Sequence, residues 1–229
     1  RSIGSKSYTA TAYVGSGVVP SAPSITLYPV NSNTWFNSKG LYVGGYTRLR
    51  VVSSSTAGSG ASMSSYSVSN AFTATGSDVT SSSALAAGSR TVTVTATDSR
   101  GRTNSASKSV SFLTYASPSV SLSAERGTYS NGSWSSNASG DHIRVTATPT
   151  VYLTANGNTG TVTVKVGSSS PNATSGNYYY FTGTVATSSY TATASITDSA
   201  GNSGSASLSI GVTAVASTMT YGTLNVGES

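Results

Sequence analysis

The chain has 229 residues, of which only 8% are charged, with no cysteine and a formal net charge of +6. The basic residues are spread singly, which disfavours a nucleic-acid partner, and the lack of cysteine excludes disulfides and thiolate metal sites. No stretch approaches the roughly 20 apolar residues of a membrane-spanning helix, so no membrane insertion is expected. Hydrophobic residues, including Val and Tyr, alternate with Ser and Thr, a pattern that predicts strands with one buried face and almost no helix.

The two ends of the chain are predicted to belong to neighbouring segments of a longer protein. Residues 7–12 (SYTATA) repeat the sequence of residues 189–194, so residues 1–20 are interpreted as the end of a preceding β domain. The chain begins with Arg1, lacks the apolar core of a signal peptide and ends without an obvious stop. Residues 217–229 are therefore interpreted as the start of a following segment.

Between these ends lie two copies of one repeat. Residues 92–101 (VTVTATDSRG) recur as residues 192–201 (ATASITDSAG), an offset of 100. Two further pairs match at offsets of 95 and 94: residues 22–27 with 117–122, and residues 47–51 with 141–145. A repeat of this length, rich in short alternating segments, predicts an all-β chain of tandem immunoglobulin-like β-sandwich domains, at residues 21–115 and 116–216. The joint at residues 115–118 has no flexible run, which predicts a semi-rigid rod.

Each repeat contains the pattern Thr-Asp-Ser-x-Gly between two alternating segments. An Asp side chain can accept hydrogen bonds from its own turn, and Gly accepts a positive φ, so the pattern predicts a short hairpin connection. Asp98 and Gly101 are assigned to this structural turn in the first repeat, and Asp198 and Gly201 in the second. A calcium site is disfavoured, because one carboxylate per loop supplies too few oxygen ligands.

The first repeat resembles the Ig-like repeat of minor structural tail proteins of siphophages that infect Gram-positive bacteria. The matching segments are residues 42–51 (YVGGYTRLRV), 62–68 (SMSSYSV) and 97–103 (TDSRGRT). The second repeat is similar to the domain that follows in those proteins, through residues 115–118, 123–126 and 141–145. It departs from the pattern at residues 197–202 (TDSAGN), where both arginines of the first motif are absent.

This resemblance, which covers residues 21–216, implies a structural protein of the virion. It implies an extracellular location in the phage tail, at the tip or fibre, and a role as a spacer that supports or contributes to host-surface attachment. The implied partners are other tail proteins, a homotrimeric assembly and host cell-wall polysaccharide. A bacterial cell-surface adhesin or carbohydrate-binding module would share the Ser/Thr-rich sandwiches without cysteine, and stays open as the alternative.

An enzyme is not expected, and neither is a cofactor or a metal. Most of the six acidic residues lie in different predicted turns or domains, and His142 is the only histidine. His142 is predicted to point outward at the start of a strand. Residues 156–160 (NGNTG) are predicted to close a hairpin between residues 151–153 and 162–166, which is not the strand-to-helix setting of a phosphate-binding loop.

Aromatic residues are the remaining candidates for binding. Trp35, together with Phe36, and Trp134 are predicted to lie in Asn/Ser-rich loops, and residues 178–181 (YYYF) are predicted to form a strand with rings on both faces. Trp35, Trp134, Tyr178 and Tyr179 are therefore named as candidate carbohydrate contacts. The competing interpretation places these rings in the core or in an interface, and strand alternation favours it for some of them.

Overall fold

The computed structural model describes residues 5–7, 9 and 18–212. The chain divides into two compact units, Arg1–Tyr115 and Ala116–Ser229, which we call unit 1 and unit 2. Each unit is a sandwich of two antiparallel sheets, which confirms the predicted all-β, immunoglobulin-like class. The strand predicted over residues 7–12 lies mostly outside the described residues, and the predicted segment 217–229 lies wholly outside them.

The described part of unit 1 has a three-stranded sheet of order β1-β2-β5 and a four-stranded sheet of order β4-β3-β6-β7. The elements are β1 (Ser24–Asn31), α1 (Thr34–Ser38), β2 (Thr47–Ser54), β3 (Met63–Asn70), β4 (Ala74–Thr75), β5 (Asp78–Thr80), β6 (Gly88–Asp98) and β7 (Thr103–Phe112).

Strict alternation builds the core of unit 1. In β2, and in β6 from Val92 onward, every second residue points inward and is buried, as the sequence pattern predicts for a sheet with one solvated face. The inward residues meet between the two sheets in a cluster of Leu49, Val51, Val68, Val92, Val94 and Phe112. The intervening residues, mainly Thr in β6 and including Arg48 and Arg50 in β2, are left on the outer faces.

The helix α1 corrects the prediction that Trp35 and Phe36 lie in a loop. The Asn33 side chain accepts hydrogen bonds from the backbone N–H groups of Trp35 (3.0 Å) and Phe36 (3.2 Å), which satisfies donors that a helix start otherwise leaves free. Phe36 is fully buried, edge-to-face against Tyr46 and Tyr115 at centroid distances of 5.2 and 5.0 Å. One good cap and one buried ring thus outweigh a composition that disfavours helix.

The described part of unit 2 has a five-stranded sheet of order β12-β13-β10-β8-β9 and a three-stranded sheet of order β11-β14-β15. The strands are β8 (Ser119–Ser130), β9 (Ser133–Ser136), β10 (His142–Thr150), β11 (Gly160–Val166), β12 (Ala173–Ser175), β13 (Tyr178–Phe181), β14 (Tyr190–Asp198) and β15 (Ser203–Ile210). The core consists mainly of inward-facing aliphatic residues and Phe181: Val120, Ile143, Val145, Ala147, Val164, Val166, Phe181, Ala192, Ala194, Ile196 and Ile210.

The two units differ in how their short strands pair. In unit 1, β4 pairs with β3, whereas β5 pairs with β2 in the opposite sheet. In unit 2, β12 and β13 form a hairpin within one sheet. The second arrangement matches the four-plus-three strand order of constant-type immunoglobulin domains, with β9 added at the edge.

Residues 151–159 are a crossover between the two sheets of unit 2, so the hairpin predicted at residues 156–160 is wrong. β10 and β11 belong to different sheets. The chain is redirected by a 3₁₀ turn at Thr154–Asn156, flanked by Leu153 and Gly157 in the left-handed region with φ of 59° and 86°. Short-range turn chemistry marked the change of direction correctly, but only the packing of the two sheets decides which sheet the next strand joins.

Candidate functional site

The outer face of the five-stranded sheet in unit 2 carries a group of aromatic and ionic side chains. Arg144 lies in β10 between Tyr180 of β13 and Glu125 of β8, its partners across the two ladders. Its neighbours in sequence, Ile143 and Val145, are fully buried on the opposite face. Since side chains alternate along a strand, Arg144, Tyr180 and Glu125 all point away from the core.

A tight hairpin adds a tryptophan to this face. β8 and β9 are joined by Asn131 and Gly132, both in the left-handed region with φ of 51° and 77°. Asn-Gly with two positive φ values is the preferred two-residue hairpin turn, because its twist matches that of the strands. The hairpin pairs Tyr129 with Trp134, so Trp134 lies in a strand and its predicted loop position is wrong.

The missing side chain of Gly127 makes room for the indole of Trp134. A Cβ atom at residue 127 would lie 2.5 Å from Cζ2 of Trp134 and 2.3 Å from the carbonyl oxygen of Ser135. Both distances are far below van der Waals contact. The Trp134 ring is therefore held directly against the backbone of β8, where only glycine fits.

Trp134, Arg144 and Tyr178 form a continuous strip across the sheet, which we call the aromatic strip. The guanidinium carbon of Arg144 lies 4.9 Å from the Trp134 ring centroid and 4.8 Å from the Tyr178 ring centroid. Both distances are within the range of cation–π attraction. Arg144 thus joins two rings that the sheet places on opposite sides of it.

Two further tyrosines, Tyr129 and Tyr180, pack beside the aromatic strip. Tyr180 stacks on Tyr129 with a centroid distance of 4.2 Å and an interplanar angle of 18°, and its ring is 5.9 Å from that of Trp134. These contacts bury Tyr180 although it points to the outer face, while Phe181 beside it is buried in the core. The two faces of β13 are therefore both aromatic, and Tyr178, which is 41% exposed, is the most exposed of its rings.

A chain of hydrogen bonds fixes the polar part of the site. Nε1 of Trp134 donates to Oγ of Ser136 at 3.3 Å, and Oγ of Ser136 donates to Oε2 of Glu125 at 2.7 Å. Arg144 donates to the other oxygen of Glu125. The hydrogen bond from Ser136 lowers the pKa of Glu125 most strongly, burial raises it and Arg144 lowers it again, so that the pKa lies below its ordinary value. Glu125 is therefore ionised at neutral pH and paired with Arg144.

Asp141 and His142 stand at one end of the same face. Nδ1 of His142 lies 2.6 Å from Oδ1 of Asp141, and this hydrogen bond is the main cause that lowers the pKa of the carboxyl group. The His142 ring faces Tyr129 at a centroid distance of 6.4 Å. A general acid needs a pKa raised toward neutrality, whereas the pKa values of Glu125 and Asp141 are both lowered.

The structure brings together only two of the four predicted carbohydrate contacts. Trp134 and Tyr178 share the aromatic strip, whereas Tyr179 points to the inner side of β13 and packs against the core. Trp35 belongs to unit 1, where it is half-buried beside Phe36 with the Lys39 ammonium 5.9 Å from its ring. The competing interpretation, burial in the core, therefore holds for Tyr179.

Sequence reasoning missed Arg144, Glu125, Tyr129 and Tyr180 as members of this site. Two signals could have found them. The dipeptide Asn131-Gly132 between alternating segments marks the hairpin that brings Trp134 beside Tyr129. Alternation places Arg144 on the outer side of β10, because its neighbour Ile143 points inward. This reasoning would have identified Arg144 as the only arginine or lysine of that strand.

The four predicted turn residues close the β6–β7 and β14–β15 connections. Asp98 is buried and accepts hydrogen bonds from the backbone N–H groups of Arg100 (2.9 Å) and Arg102 (3.0 Å) and from the Arg102 guanidinium (2.7 Å). Asp198 accepts instead from the Asn202 backbone N–H and from the side-chain amide of Asn158, both at 2.9 Å. Gly101 and Gly201 have φ of 75° and 80°, so each provides the left-handed residue of its turn.

Unit 1 has a counterpart of the aromatic strip around Arg50. Arg50 lies opposite Tyr28 of β1, with its guanidinium carbon 5.7 Å from that ring, and donates from Nε and Nη2 to both oxygens of Asp78 at 2.8 and 2.5 Å. Arg50 matches Arg144 in the repeat, at the offset of 94 residues. Only one ring contacts it, and its side chain is 45% exposed against 22% for Arg144.

No group of three His, Cys, Asp or Glu residues that could hold a metal ion occurs in the described part of the chain. Among the same residues, no helix is long and apolar enough to cross a bilayer.

Comparison with known proteins finds similar folds at low identity. No protein-family model matches the chain. No curated protein matches it either. The fibronectin(III)-like modules of CbhA from Clostridium thermocellum are 15% identical, with a TM-score of 0.30, over 75% of this chain and 87% of that one.

Two further solved structures are β-sandwich modules. One comes from work on the promiscuous specificity of carbohydrate-binding modules from the β-sandwich superfamily. It is 13% identical, with a TM-score of 0.33, over 80% of this chain and 58% of that one. The central fibronectin-III array of RIM-binding protein is 12% identical, with a TM-score of 0.29, over 86% and 70%. Likeness at this level carries no information about ligand or activity.

Proposed function

We propose that the chain is a non-enzymatic structural segment of a phage tail, at the tip or fibre, in which the Ig-like units act as a spacer and unit 2 contributes to host-surface attachment. The observation that carries the proposal is the aromatic strip. Its two rings and one guanidinium lie on the outer face of a sheet, where a large surface such as a cell wall can reach them. The resemblance of both repeats to tail proteins supplies the biological setting.

The electrostatics of the site support binding over catalysis. Glu125 and Asp141 both have a pKa below the ordinary value, because each is hydrogen-bonded as the charged form. Neither carboxyl group can then serve as a protonated general acid at neutral pH. Rings held next to an ion pair offer contact area and fixed hydrogen-bonding groups, which are the properties of a recognition surface.

The location in a phage tail can be tested on particles. Antibodies raised against the fragment should label one end of the tail of virions encoded by the same genome, visible by electron microscopy with gold-labelled secondary antibody. Excess fragment should also slow adsorption of those virions to host cells. Labelling of the bacterial surface instead, with unlabelled virions, would overturn the tail assignment.

A bacterial surface adhesin or carbohydrate-binding module is the second candidate, because the aromatic strip would serve it equally well. The same labelling experiment separates the two, since an adhesin is present on uninfected cells. Slowed adsorption without virion labelling would mean that the fragment competes for a receptor without being part of the tail.

A further inference from the structure

We infer that the aromatic strip binds an uncharged glycan, with sugar rings packed against the parts of Trp134 and Tyr178 that Arg144 leaves exposed. This inference rests on the proposed function and deepens it, because it names the chemical class of the surface ligand. The competing ligand on a Gram-positive cell wall would be a phosphate-bearing, anionic polymer. The arrangement of charge and rings on this face distinguishes the two.

The outer face of the five-stranded sheet has no net positive charge. The register of its strands places Glu125 and Arg144 as the only charged groups at outward strand positions within the described residues, with His142 as a third titratable group. Arg144 is paired with Glu125, and Asp141 adds a negative charge next to His142. An anionic polymer would gain no electrostatic attraction here, and approach to Arg144 would require displacing Glu125.

The geometry of Arg144 makes it a fixed planar element and not a free cation. Both of its flanking rings lie within 4.9 Å of the guanidinium carbon, and its Nε is buried without a hydrogen-bond acceptor in the described part of the chain. A donor held between two ring faces has little freedom to reorient toward an incoming phosphate. Its role is to hold the two rings in position and to orient Glu125.

The remaining groups match the chemistry of a neutral sugar. The C–H groups of a pyranose ring carry slight positive charge and pack against the negative face of an aromatic ring. The polar edges of the ring need hydrogen-bonding partners, and Glu125, whose side chain is 40% exposed, offers an acceptor on the Trp134 side of Arg144. Ser123 and Thr146, at outward positions paired across β8 and β10, add hydroxyl groups along the same strip.

The strip is open along its length, which favours a chain of sugars over a single one. Tyr178 is 41% exposed and lies at the β13 side, whereas Trp134 lies at the β9 edge of the sheet. Between them the side chain of Arg144 is 22% exposed. A polymer can therefore run across the strands and contact both rings at once, which raises its apparent affinity over that of a monosaccharide.

The experiment uses the whole chain and two classes of probe. Uncharged polysaccharides (a panel of glucan, galactan, mannan and rhamnan polymers) and poly(glycerol phosphate) are compared by affinity electrophoresis and calorimetry. We expect binding to at least one uncharged polymer, changing by less than about twofold between low and high salt because no net charge is involved. Trp134→Ala and Tyr178→Ala should each weaken it roughly tenfold or more.

Tyr28→Ala in unit 1 is the matched control, because Tyr28 also lies beside an outward arginine and is exposed to a similar degree, 45% against 41% for Tyr178. It should leave binding unchanged within about twofold. If Trp134→Ala perturbs the hairpin, Tyr178→Ala still tests the strip, because Tyr178 lies in another strand. Loss of binding in all three variants would show that the strip is not the site.

The outcomes separate the inference from the proposed function. Binding to poly(glycerol phosphate) that falls steeply with salt, with no binding to the uncharged panel, would overturn the uncharged-glycan inference and leave a role in attachment standing. Failure to bind either class, together with failure to bind Gram-positive cell walls, would overturn the contribution of unit 2 to attachment as well. The virion-labelling experiment tests the location in the phage tail independently of these outcomes.

Discussion

Arg50 and Arg144 occupy matching positions in the two units. The strands that supply a ring and a carboxylate to each arginine are exchanged between the units. In unit 1 the ring, Tyr28, comes from the first strand and the carboxylate, Asp78, from β5. In unit 2 the carboxylate, Glu125, comes from the first strand and the ring, Tyr178, from β13. Either order satisfies an outward arginine, because a cation needs one counter-ion and gains from one ring face.

The difference that matters for function is the additional hairpin of unit 2. β8 has 12 residues against 8 for β1, and its extension returns as β9 with Trp134. Arg50 contacts a ring only on its first-strand side, whereas Arg144 has a ring on both sides, Trp134 from β9 and Tyr178 from β13. A position that both repeats share thus gains a second ring only where the edge of the sheet is extended.

The largest effect is expected from Gly127→Val, which tests whether the hairpin is needed for the strip. The new side chain would meet the Ser135 carbonyl and the Trp134 ring, so we expect unit 2 to be destabilised by about 3 kcal/mol or more and the hairpin to be displaced. Each unit has one tryptophan, so denaturation can be followed separately by fluorescence in Trp35→Phe (unit 2) and Trp134→Phe (unit 1) backgrounds.

Gly211→Ala is the control for that substitution, because a Cβ there meets no atom within 4 Å and its φ is not in the left-handed region. It should change the free energy of unfolding of unit 2 by less than about 0.5 kcal/mol. A Gly127→Val protein as stable as the control would show that Trp134 does not pack against β8.

The second comparison concerns the two buried turn carboxylates. Asn158→Ala removes an amide donor from Asp198 and is expected to destabilise unit 2 by about 1–3 kcal/mol, measured by urea denaturation in the Trp35→Phe background. Arg102→Ala should destabilise unit 1 more, because it leaves the Asp98 carboxylate, whose side chain is fully buried, without its counter-ion. Equal losses of unfolding free energy in the two variants would mean that the Arg102 charge adds no stability to the Asp98 turn.

The third prediction concerns the acid stability of unit 1, to which Asp98 contributes. Burial is the largest influence and raises its pKa, but the hydrogen bonds from Arg102 and Arg100 together outweigh burial, so the pKa lies below its ordinary value. Because the unfolded carboxyl binds protons more readily, this stabilisation is present above the unfolded pKa of about 3.9 and is lost as pH falls through the folded pKa.

Unit 1 should therefore lose stability as the pH falls below about 4, and Asp98→Asn should flatten this dependence. The free energy of unfolding in the Trp134→Phe background, measured between about pH 2 and 7, tests it. An unchanged slope in Asp98→Asn would exclude this carboxyl group as the cause.

The smallest effect is expected from the outward arginines themselves. Arg144→Ala should destabilise unit 2 by about 0.5–2 kcal/mol through loss of two ring contacts and the pairing with Glu125. Arg50→Ala should change unit 1 less, because its side chain is twice as exposed and contacts one ring. Equal losses, compared by urea denaturation, would show that the second ring contributes no stability.

Much of the fold could be predicted because it depends on short-range pattern. Alternation of Val and Thr in β6 and of Ala and Thr in β14 is sufficient to predict strands with one buried face. The turn residues Asp98 and Gly101 follow from the local demands of a hairpin, an acceptor and a positive φ. The helix α1 was not predicted because one cap and one buried ring decided it against composition.

The site was harder to predict because its members come from four strands. Tyr180 is buried on an outer face only because Tyr129 and Trp134, separated from it by about 50 residues of chain, cover it. Alternation alone predicts that Tyr178 and Tyr180 share a face and that Tyr179 and Phe181 share the other, but not which face is exposed. That assignment depends on the sheet-on-sheet packing and the register with β10.

The sequence by itself determined that this chain is made of repeated β-sandwiches and where the turns at Asp98–Gly101 and Asp198–Gly201 lie, since periodicity and turn chemistry act over a few residues. Only the tertiary structure decided that Trp134 and Tyr178 converge on Arg144, that Tyr179 belongs to the core, and that Asp98 and Asp198 meet different partners. Those outcomes depend on strand order and register, which are settled by the packing of residues far apart in the chain.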